Sequence, residues 1–573
     1  MAMFVADFET TTNKEDCRVW AYAICEVGNI DNIIIGNNID DFMNFCKKRG
    51  NHKIFFHNLK FDVQFIISWL FKNGYRHTTE QADRKTKTFN TLINQKGLYY
   101  QLEVIFERKG KNINKVTFQD SLKLIPLSVE EIAKTFDFHF KKLKIDYNKK
   151  RNENHILTDS EISYIENDVK IVAKAIEFFY KNGLNKMTIG ASALNEFKKT
   201  ITNKNFLRWF PSPYYDNDVR QSYFGGWTFL NPKYAEKTVK NGFVLDVNSI
   251  YPFVMKNEKM PYGTPIFFRG KYKTDKYYPI YVQMIRCQFE LKNGKLPTIQ
   301  IRRMGLPNQY LTNSGNTEIT MCLTSVDLNL FFENYDIYNL EYVSGWKFKA
   351  TTGIFDEYID KCYQEKVKAK AENNGGLYLI SKLRLNSLYG KFGTLTQYKN
   401  KIPYLDKNGV INYKCSEIKS KDGVYIPLAT FVTAYARQYI INSAQKIVDD
   451  YNSGKSNIEF IYADTDSLHC ISPDGELPKD IIIDDIELGA FKFEGDFKRA
   501  KFIRPKCYIE ELRKPGEQNY NLKITVAGMP NSCYEKVNFK NFKVGATYSG
   551  KLEPIQVPNG VILQDVDFTI KKV

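Results

Sequence analysis

No C-x-x-C pair occurs among the ten cysteines of this 573-residue chain. They stand apart at positions 17, 25, 46, 287, 322, 362, 415, 470, 507 and 533. That scatter argues against a disulfide framework or a structural zinc site, and for free thiols in a reducing cytoplasm. Long apolar runs are missing too: no window reaches the ~18 uninterrupted apolar residues of a membrane-crossing helix. The opening MAMFVADFETT lacks a basic segment leading into an apolar stretch, so no signal peptide is expected. The chain is expected to be soluble, to have no membrane partner and to stay where it is made. Internal repeats, low-complexity tracts and long linkers are absent, and 33 Gly and 19 Pro are too few for a fibrous chain. Acidic residues are in deficit, 65 against 82 Lys and Arg, for a net charge of +17. A basic globular protein is drawn to polyanions, nucleic acid above all; the same excess also serves solubility or follows lineage composition. What is present is core material. Hydrophobic and aromatic contents of 43% and 14% exclude wholesale disorder, and the length accommodates about two to four domains.

Residues 4–9 and 19–27 are rich in β-branched and aromatic side chains and read as strands, as do 54–56. A helical pattern follows through Phe61, Phe65, Ile66 and Leu70, ending near Gly74, and 88–119 reads as a β-meander. Thr158 and Glu161 form a capping box ahead of Ile162, Ile165, Val169, Val172 and Ile176, with Gly183 as a stop. Strands closed by a helix within ~185 residues suggest one α/β domain. Further on, 243–247 reads as a strand, 258–355 as strands and turns, and 376–389 as a helix stopping at Gly390. Residues 393–425 are short and turn-rich, 428–452 helical, 460–471 a hairpin, and the C-terminal hundred residues mostly β.

Asp7 and Glu9 of DFET occupy positions i and i+2 of a strand, so they project to one face. Two such carboxylates repel unless a cation sits between them. Asp62 follows the strand in HNLKFD, and Asp168 lies one helical turn beyond Tyr164. Together these groups make a two-cation hydrolytic site with Tyr164 orienting water; taken singly, Asp62 and Asp168 also read as solvated surface acids. A second set comprises Asp246 at the end of GFVLDV and Asp464 and Asp466 in YADTDS at a hairpin tip. Three carboxylates brought together would hold two Mg²⁺ and leave places for phosphates. In the 376–389 helix, Tyr378, Lys382, Asn386 and Tyr389 fall on one face, with Leu377, Ile380, Leu383 and Leu388 pointing away. Lysine, amide and tyrosine in one stripe suit a nucleoside triphosphate, and equally an ordinary surface stripe. Basic-aromatic runs at 141–151 and 498–508 would track a phosphate backbone or remain solvated.

Taken in order, these strings resemble the motifs of a family B DNA polymerase with an N-terminal proofreading exonuclease. DFET, NLKFD and Tyr164-x-x-x-Asp168 are similar to the three exonuclease motifs. DVNSIYP, KLRLNSLYG and YADTDS are similar to polymerase motifs A, B and C. K-x-Y at 506–508 resembles the primer-strand motif, and YFGG at 223–226 the Y-x-G-G segment joining the domains. The spacing, PTIQI at 297–301 and the ending FKVG…QVP-x-GV…FTIK resemble the protein-primed polymerases of small linear-genome phages, the phi29 group, across essentially the whole chain.

The resemblance implies an α/β and α+β multidomain chain. A ribonuclease-H-like exonuclease domain (1–185) would precede a right-hand polymerase (186–573). Its palm would comprise about 186–257, 356–365 and 426–525, its fingers about 366–392 and its thumb about 526–573. Two insertions would follow motif A (about 258–355, contacting terminal protein and DNA) and motif B (about 393–425). The implied activity is DNA-directed DNA synthesis on linear viral DNA, with protein-primed initiation, processive strand displacement and 3′–5′ proofreading. Each site would take two Mg²⁺, with Mn²⁺ able to substitute. DNA, dNTPs and a terminal protein would be the partners of a monomer in the host bacterial cytoplasm.

Carried over by residue, Asp7, Glu9, Asp62 and Asp168 would bind the exonuclease metals, with Tyr164 and Lys142 catalytic. Thr10, His57, Asn58, Phe61, Ser121 and Leu122 would contact the frayed 3′ end. Asp246, the Val247 carbonyl and Asp466 would hold the polymerase metals, with Asp464 nearby. Tyr251 and Tyr389 would flank the nucleotide, beside Asn386; Lys382 would meet its phosphates, assisted by Lys370. Tyr223, Gly225, Gly226, Lys506 and Tyr508 would contact DNA. Two departures stand out: Tyr378 lies where the family often has a second basic residue, and Phe224 replaces a frequent Arg. Two other readings keep the same residues: a DNA-primed polymerase of a plasmid or mobile element, and an exonuclease or nucleic-acid-binding protein without polymerase activity.

Overall fold

A computed structural model describes residues 2–147, 149–153, 155–212, 214–301 and 309–572. Asn148 of the 141–151 run and residues 302–308 of the expected first insertion lie outside the described residues.

The first third forms an eight-stranded sheet. Its order is Asn29–Gly36, Val19–Glu26, Met3–Thr10, His52–Phe56, Asn112–Asp120, Tyr99–Lys109, Thr88–Ile93 and Arg76–His77. Met3–Thr10 sits centrally, antiparallel to Val19–Glu26 and parallel to His52–Phe56. Strand alternation then divides its side chains between two cores. Phe4, Ala6 and Phe8 face the core that takes Phe42 and Ile66 from helices Ile39–Arg49 and Val63–Lys72. Val5 faces the other core, where helix Asp159–Lys181 contributes Ile165, Val169 and Val172. Asp7 and Glu9 share the parity of Val5, so they are aimed at that helix. The Thr158/Glu161 capping box forms as the sequence predicts.

The second sheet has seven antiparallel strands: Asn521–Val526, Cys507–Arg513, Phe491–Arg504, Thr238–Val247, Ser467–Ile471, Glu459–Asp464 and Thr228–Leu230. Helix Ile426–Asn452 backs it, burying Ala429, Val432, Ala436, Ile440 and Ala444. A third sheet of four strands is built from Met260–Arg269, Tyr335–Thr351, Ile280–Leu291 and Ile319–Thr324. Helices Asp356–Ala371 and Gly375–Phe392 pack against each other as a hairpin.

The helix expected to stop at Gly390 runs on to Phe392. A mid-helix glycine costs only about 1 kcal/mol, and continuing buries Phe392 completely against Phe197, Phe206, Phe210 and Phe355. Packing outweighs propensity here. The chain turns instead at Gly393, where an added Cβ would come within 2.7 Å of the Tyr223 hydroxyl.

All ten cysteines are free. Among the described residues, no helix is long and apolar enough to cross a membrane.

Candidate active sites

In the N-terminal unit the four predicted carboxylates converge between the central strand and helix Asp159–Lys181. Glu9, Asp62 and Asp168 are at most 5% exposed. Burial pushes the Asp7 carboxyl up, and Asp168 opposite pushes it further while Lys142 draws it back. Glu9 is raised by burial and by Asp7 and Asp168, and Asp62 by burial, Asp7 and Glu9. Asp168 is raised by burial against the pull of Lys142, whose Nζ lies 2.5 Å from its Oδ2. The same ammonium stands 5.5 Å from the centre of the Tyr164 ring. Tyr164 is buried, and its hydroxyl pairs with that of Tyr147 at 2.7 Å. Tyr147, half exposed at the rim, is a site residue that sequence reasoning missed.

The residues expected to meet a 3′ end divide into two kinds. Thr10 lines a shallow recess with Tyr147, Lys149, Lys150 and Arg151. Phe61 lies against Phe65, with ring centroids 5.8 Å apart. Asp120 accepts the backbone N–H groups of Asn58 and Leu122 at 3.1 and 3.0 Å, fixing both loops, and Asn58 takes a left-handed φ of 72°. Ser121, by contrast, is fully buried. Its hydroxyl donates to the Phe56 carbonyl at 3.0 Å and meets His57 Nδ1 at 3.0 Å. It orients His57, whose Nε2 meets the Leu127 carbonyl at 2.7 Å, instead of offering a free hydroxyl.

The second cluster forms where Thr238–Val247 pairs with the hairpin strand Ser467–Ile471. Asp246 lies opposite Ser467, and the Val247 N–H donates to the Asp466 carbonyl at 2.8 Å. That bond sets the two carboxylates side by side. Burial, Asp466 and Glu494 raise Asp246; Lys492 and Lys382 oppose them. Asp466 is raised by burial and Asp464, against Lys506 and Lys382. Asp464 itself accepts from Lys506 Nζ at 2.5 Å and from the Tyr462 hydroxyl at 3.1 Å. The tight turn between the two acids holds Thr465 at a φ of 69°. Gly226 is required beside it, because an added Cβ would come within 2.6 Å of Thr465 Cγ2. Arg437, unanticipated from sequence, donates through Nη1 to the carbonyls of Phe224 and Gly225 at 2.8 Å each and grips Asp327 with Nε and Nη2. It thereby ties the 223–226 segment to helix Ile426–Asn452 and to Asp327.

A cavity of about 780 Å³ opens over Asp246 and Asp466. Tyr378, Lys382, Asn386 and Tyr389 all line it, as their helical spacing predicts, with Lys370 and Tyr251. Tyr251 and Tyr389 lie ring to ring, centroids 4.1 Å apart. Two further lysines line the cavity and were not anticipated. Lys366 donates to Ser249 Oγ at 3.1 Å, and Lys492 is bonded to Glu494 at 2.5 Å. Burial, then the neighbouring Lys382 and Lys370, bring the Lys366 amine down to about 8. Four cations beside a carboxylate pair make a site for a polyanion that carries its own counter-ion.

Among the described residues, no three His, Cys, Asp or Glu side chains stand close enough to grip a cation as they lie. The donor chemistry nevertheless fits a hard cation such as Mg²⁺: every candidate ligand is an oxygen, burial raises Asp7, Glu9, Asp62, Asp168, Asp246 and Asp466, neighbouring carboxylates raise all of these but Asp168 further, and the buried Asp168 Oδ1 has no hydrogen-bond partner.

Over residues 43–160 and 141–480 the chain matches the family described as DNA polymerase type B, organellar and viral. The DNA polymerase of Bacillus phage phi29 is 42% identical over 587 residues, covering 99% of each chain. That of Streptococcus phage Cp-1 is 32% identical over 597 residues, covering 99% of this chain and 98% of its own. The solved structure of phi29 DNA polymerase with primer-template DNA and incoming nucleotide substrates matches with a TM-score of 0.92 at 42% identity, covering both chains completely. The same polymerase complexed with single-stranded DNA matches with a TM-score of 0.92 at 41% identity, again over both chains.

Proposed function

Because the chain belongs to the organellar and viral type B DNA polymerases and is a phi29-like DNA polymerase, we propose that it replicates linear viral DNA from a terminal-protein primer, displacing the opposite strand and proofreading as it goes. On this reading residues 1–185 carry the 3′–5′ exonuclease and 186–573 the polymerase, in the host cell's cytoplasm. The observation that carries it is the pair of separate buried carboxylate clusters, one joined to a lysine-lined cavity of nucleotide size.

Synthesis joins a primer hydroxyl to the α-phosphate of a dNTP and releases pyrophosphate. Lys366, Lys370 and Lys382 hold the triphosphate, and Lys492 closes the palm side of the cavity. Tyr251 packs beneath the sugar and excludes a 2′-hydroxyl; Tyr389 supports the base. Lys506 and Tyr508 hold the primer strand beside Asp464. Asp246 and Asp466, with the Val247 carbonyl, would hold Mg²⁺ or Mn²⁺, and in the exonuclease site Asp7, Glu9, Asp62 and Asp168 would do so. Bound there, the cations supply charge neutralisation and lower the pKa of an attacking hydroxyl or water. Tyr164, fixed by Tyr147, positions the water; Lys142 meets the departing phosphate charge. Any hydroxyl of suitable reach can occupy the primer position, a protein's included.

Incubation with the cognate terminal protein and labelled dATP tests the priming step, since only protein priming labels the protein. Asp466→Ala should abolish synthesis and spare degradation of single-stranded DNA, and the Asp7→Ala/Glu9→Ala pair should do the reverse. Loss of both activities in either folded variant would refute two separate sites.

A further inference from the structure

The strands carrying His469 and Glu510 are not neighbours, since Phe491–Arg504 and Thr238–Val247 lie between them. Yet His469 Nδ1 and Glu510 Oε1 are 2.7 Å apart. The sheet curls, and the two side chains meet across its concave face, caged by Tyr462, Phe502 and Tyr508 at ring-centroid distances of 5.3, 5.5 and 5.3 Å. Both are at most 1% exposed. The other Glu510 oxygen faces Lys523 Nζ at 3.7 Å. His469 Nε2 faces Ser467 Oγ at 3.4 Å, and Ser467 lies directly opposite Asp246. The strand of Glu510 also carries Tyr508 and follows Lys506; the hairpin of His469 follows Asp464 and Asp466. A second link joins the same two elements at their other end. The Tyr462 hydroxyl accepts from the Lys506 N–H at 2.9 Å while donating to Asp464.

A buried ionisable pair is poor value as stabilisation, because desolvation offsets most of the attraction, but it tolerates only one register. We propose that the His469–Glu510 contact is a latch: it fixes the strand of Lys506 and Tyr508 against the hairpin of Asp464 and Asp466, and so sets how firmly a primer end is kept at the synthetic site before it passes to the degradative one. The latch rests on the two-site reading above. His469 and Glu510 are positioning residues, since neither reaches the cavity.

The test uses the full-length protein. His469→Phe/Glu510→Met fills the volume without the polar contact and releases Lys523, already 43% exposed, to water. His469→Gln/Glu510→Gln keeps a neutral hydrogen-bonded pair. On primer-template DNA the readout is the dNTP concentration at which extension balances degradation, alongside the KM for primer-template. The first variant should need about tenfold more dNTP and show a raised primer-template KM, with single-stranded DNA degradation within about twofold of wild type. The amide pair should restore the balance to within about threefold. A balance point within about twofold of wild type in the folded first variant overturns the latch, as does a parallel fall of both activities. If wild type fails to degrade single-stranded DNA, the two-site reading fails by itself, and the primer-template KM decides the latch. Where the first variant does not fold, His469→Leu/Glu510→Gln severs the same contact and is read the same way.

Discussion

Lys366→Arg should remove a pH dependence that wild type displays. The Lys366 amine lies in the triphosphate cavity with a pKa brought down to about 8 by burial and by Lys382 and Lys370. The sign follows from which form binds. Only the ammonium attracts phosphate, so affinity is complete below pH 8 and declines as pH rises through it. With that pKa, about nine in ten Lys366 side chains are charged at pH 7 and about one in ten at pH 9. Binding of dATP to a primer-template complex ended by a dideoxynucleotide isolates affinity from chemistry. Its Kd should rise about tenfold from pH 7 to pH 9 in wild type. In Lys366→Arg, whose guanidinium stays charged throughout, the Kd should stay within about twofold over that range. A wild-type profile as flat as the variant's would refute the lysine crowding inferred from the cavity.

Tyr251→Val should admit ribonucleotides, lowering dNTP-over-rNTP discrimination by about 10- to 100-fold in single-turnover incorporation; unchanged discrimination would remove Tyr251 from the sugar-sensing role. Glu161 provides a stability test. Its side chain accepts the Thr158 N–H at 3.1 Å and Arg151 Nε at 2.9 Å, and those bonds, with His155, hold its carboxyl down at about 2 despite burial. A depressed carboxyl contributes stability above its ordinary 4.5 and loses it as pH falls toward 2. The wild-type advantage over Glu161→Gln in urea unfolding should therefore shrink by about 2 kcal/mol between pH 6 and pH 3. A constant gap would contradict the network.

The face shared by Asp7 and Glu9 and the helical stripe were legible because strand and helix periods decide them, while Asp62, Asp246 and Asp466 depended on the motif resemblance. Asp7 and Glu9 follow Val5 on a period of two, and Tyr378, Lys382, Asn386 and Tyr389 follow one helical stripe. The capping box announced the helix bearing Asp168 for the same local reason. Lys366 was hidden because the sequence reading assigned no helix to 356–371, which buries only Tyr358, Ile359, Cys362 and Ala369 and otherwise reads as a charged segment. Arg437 was unreadable in principle: its partners Asp327, Phe224 and Gly225 lie more than a hundred residues away. The same holds for His469 and Glu510, which only curvature of the sheet brings together. Gly390 misled because a local stop signal was overruled by the burial of Phe392.

The hairpin formed by Thr547–Val557 and Gly560–Thr569 packs on the first sheet. Val557 and Val561 are buried in the same core as Phe4 and Phe8, Cys17 Sγ meets the Val561 carbonyl at 3.7 Å, and Gly560 lies so close to Phe65 that any side chain there would collide. The turn of this hairpin is thus a lid on the first sheet. Without the hairpin that sheet carries an uncovered apolar seam, and a protease cut near residue 550 would open it. Loss of this hairpin should be felt first by the module that bears Asp7.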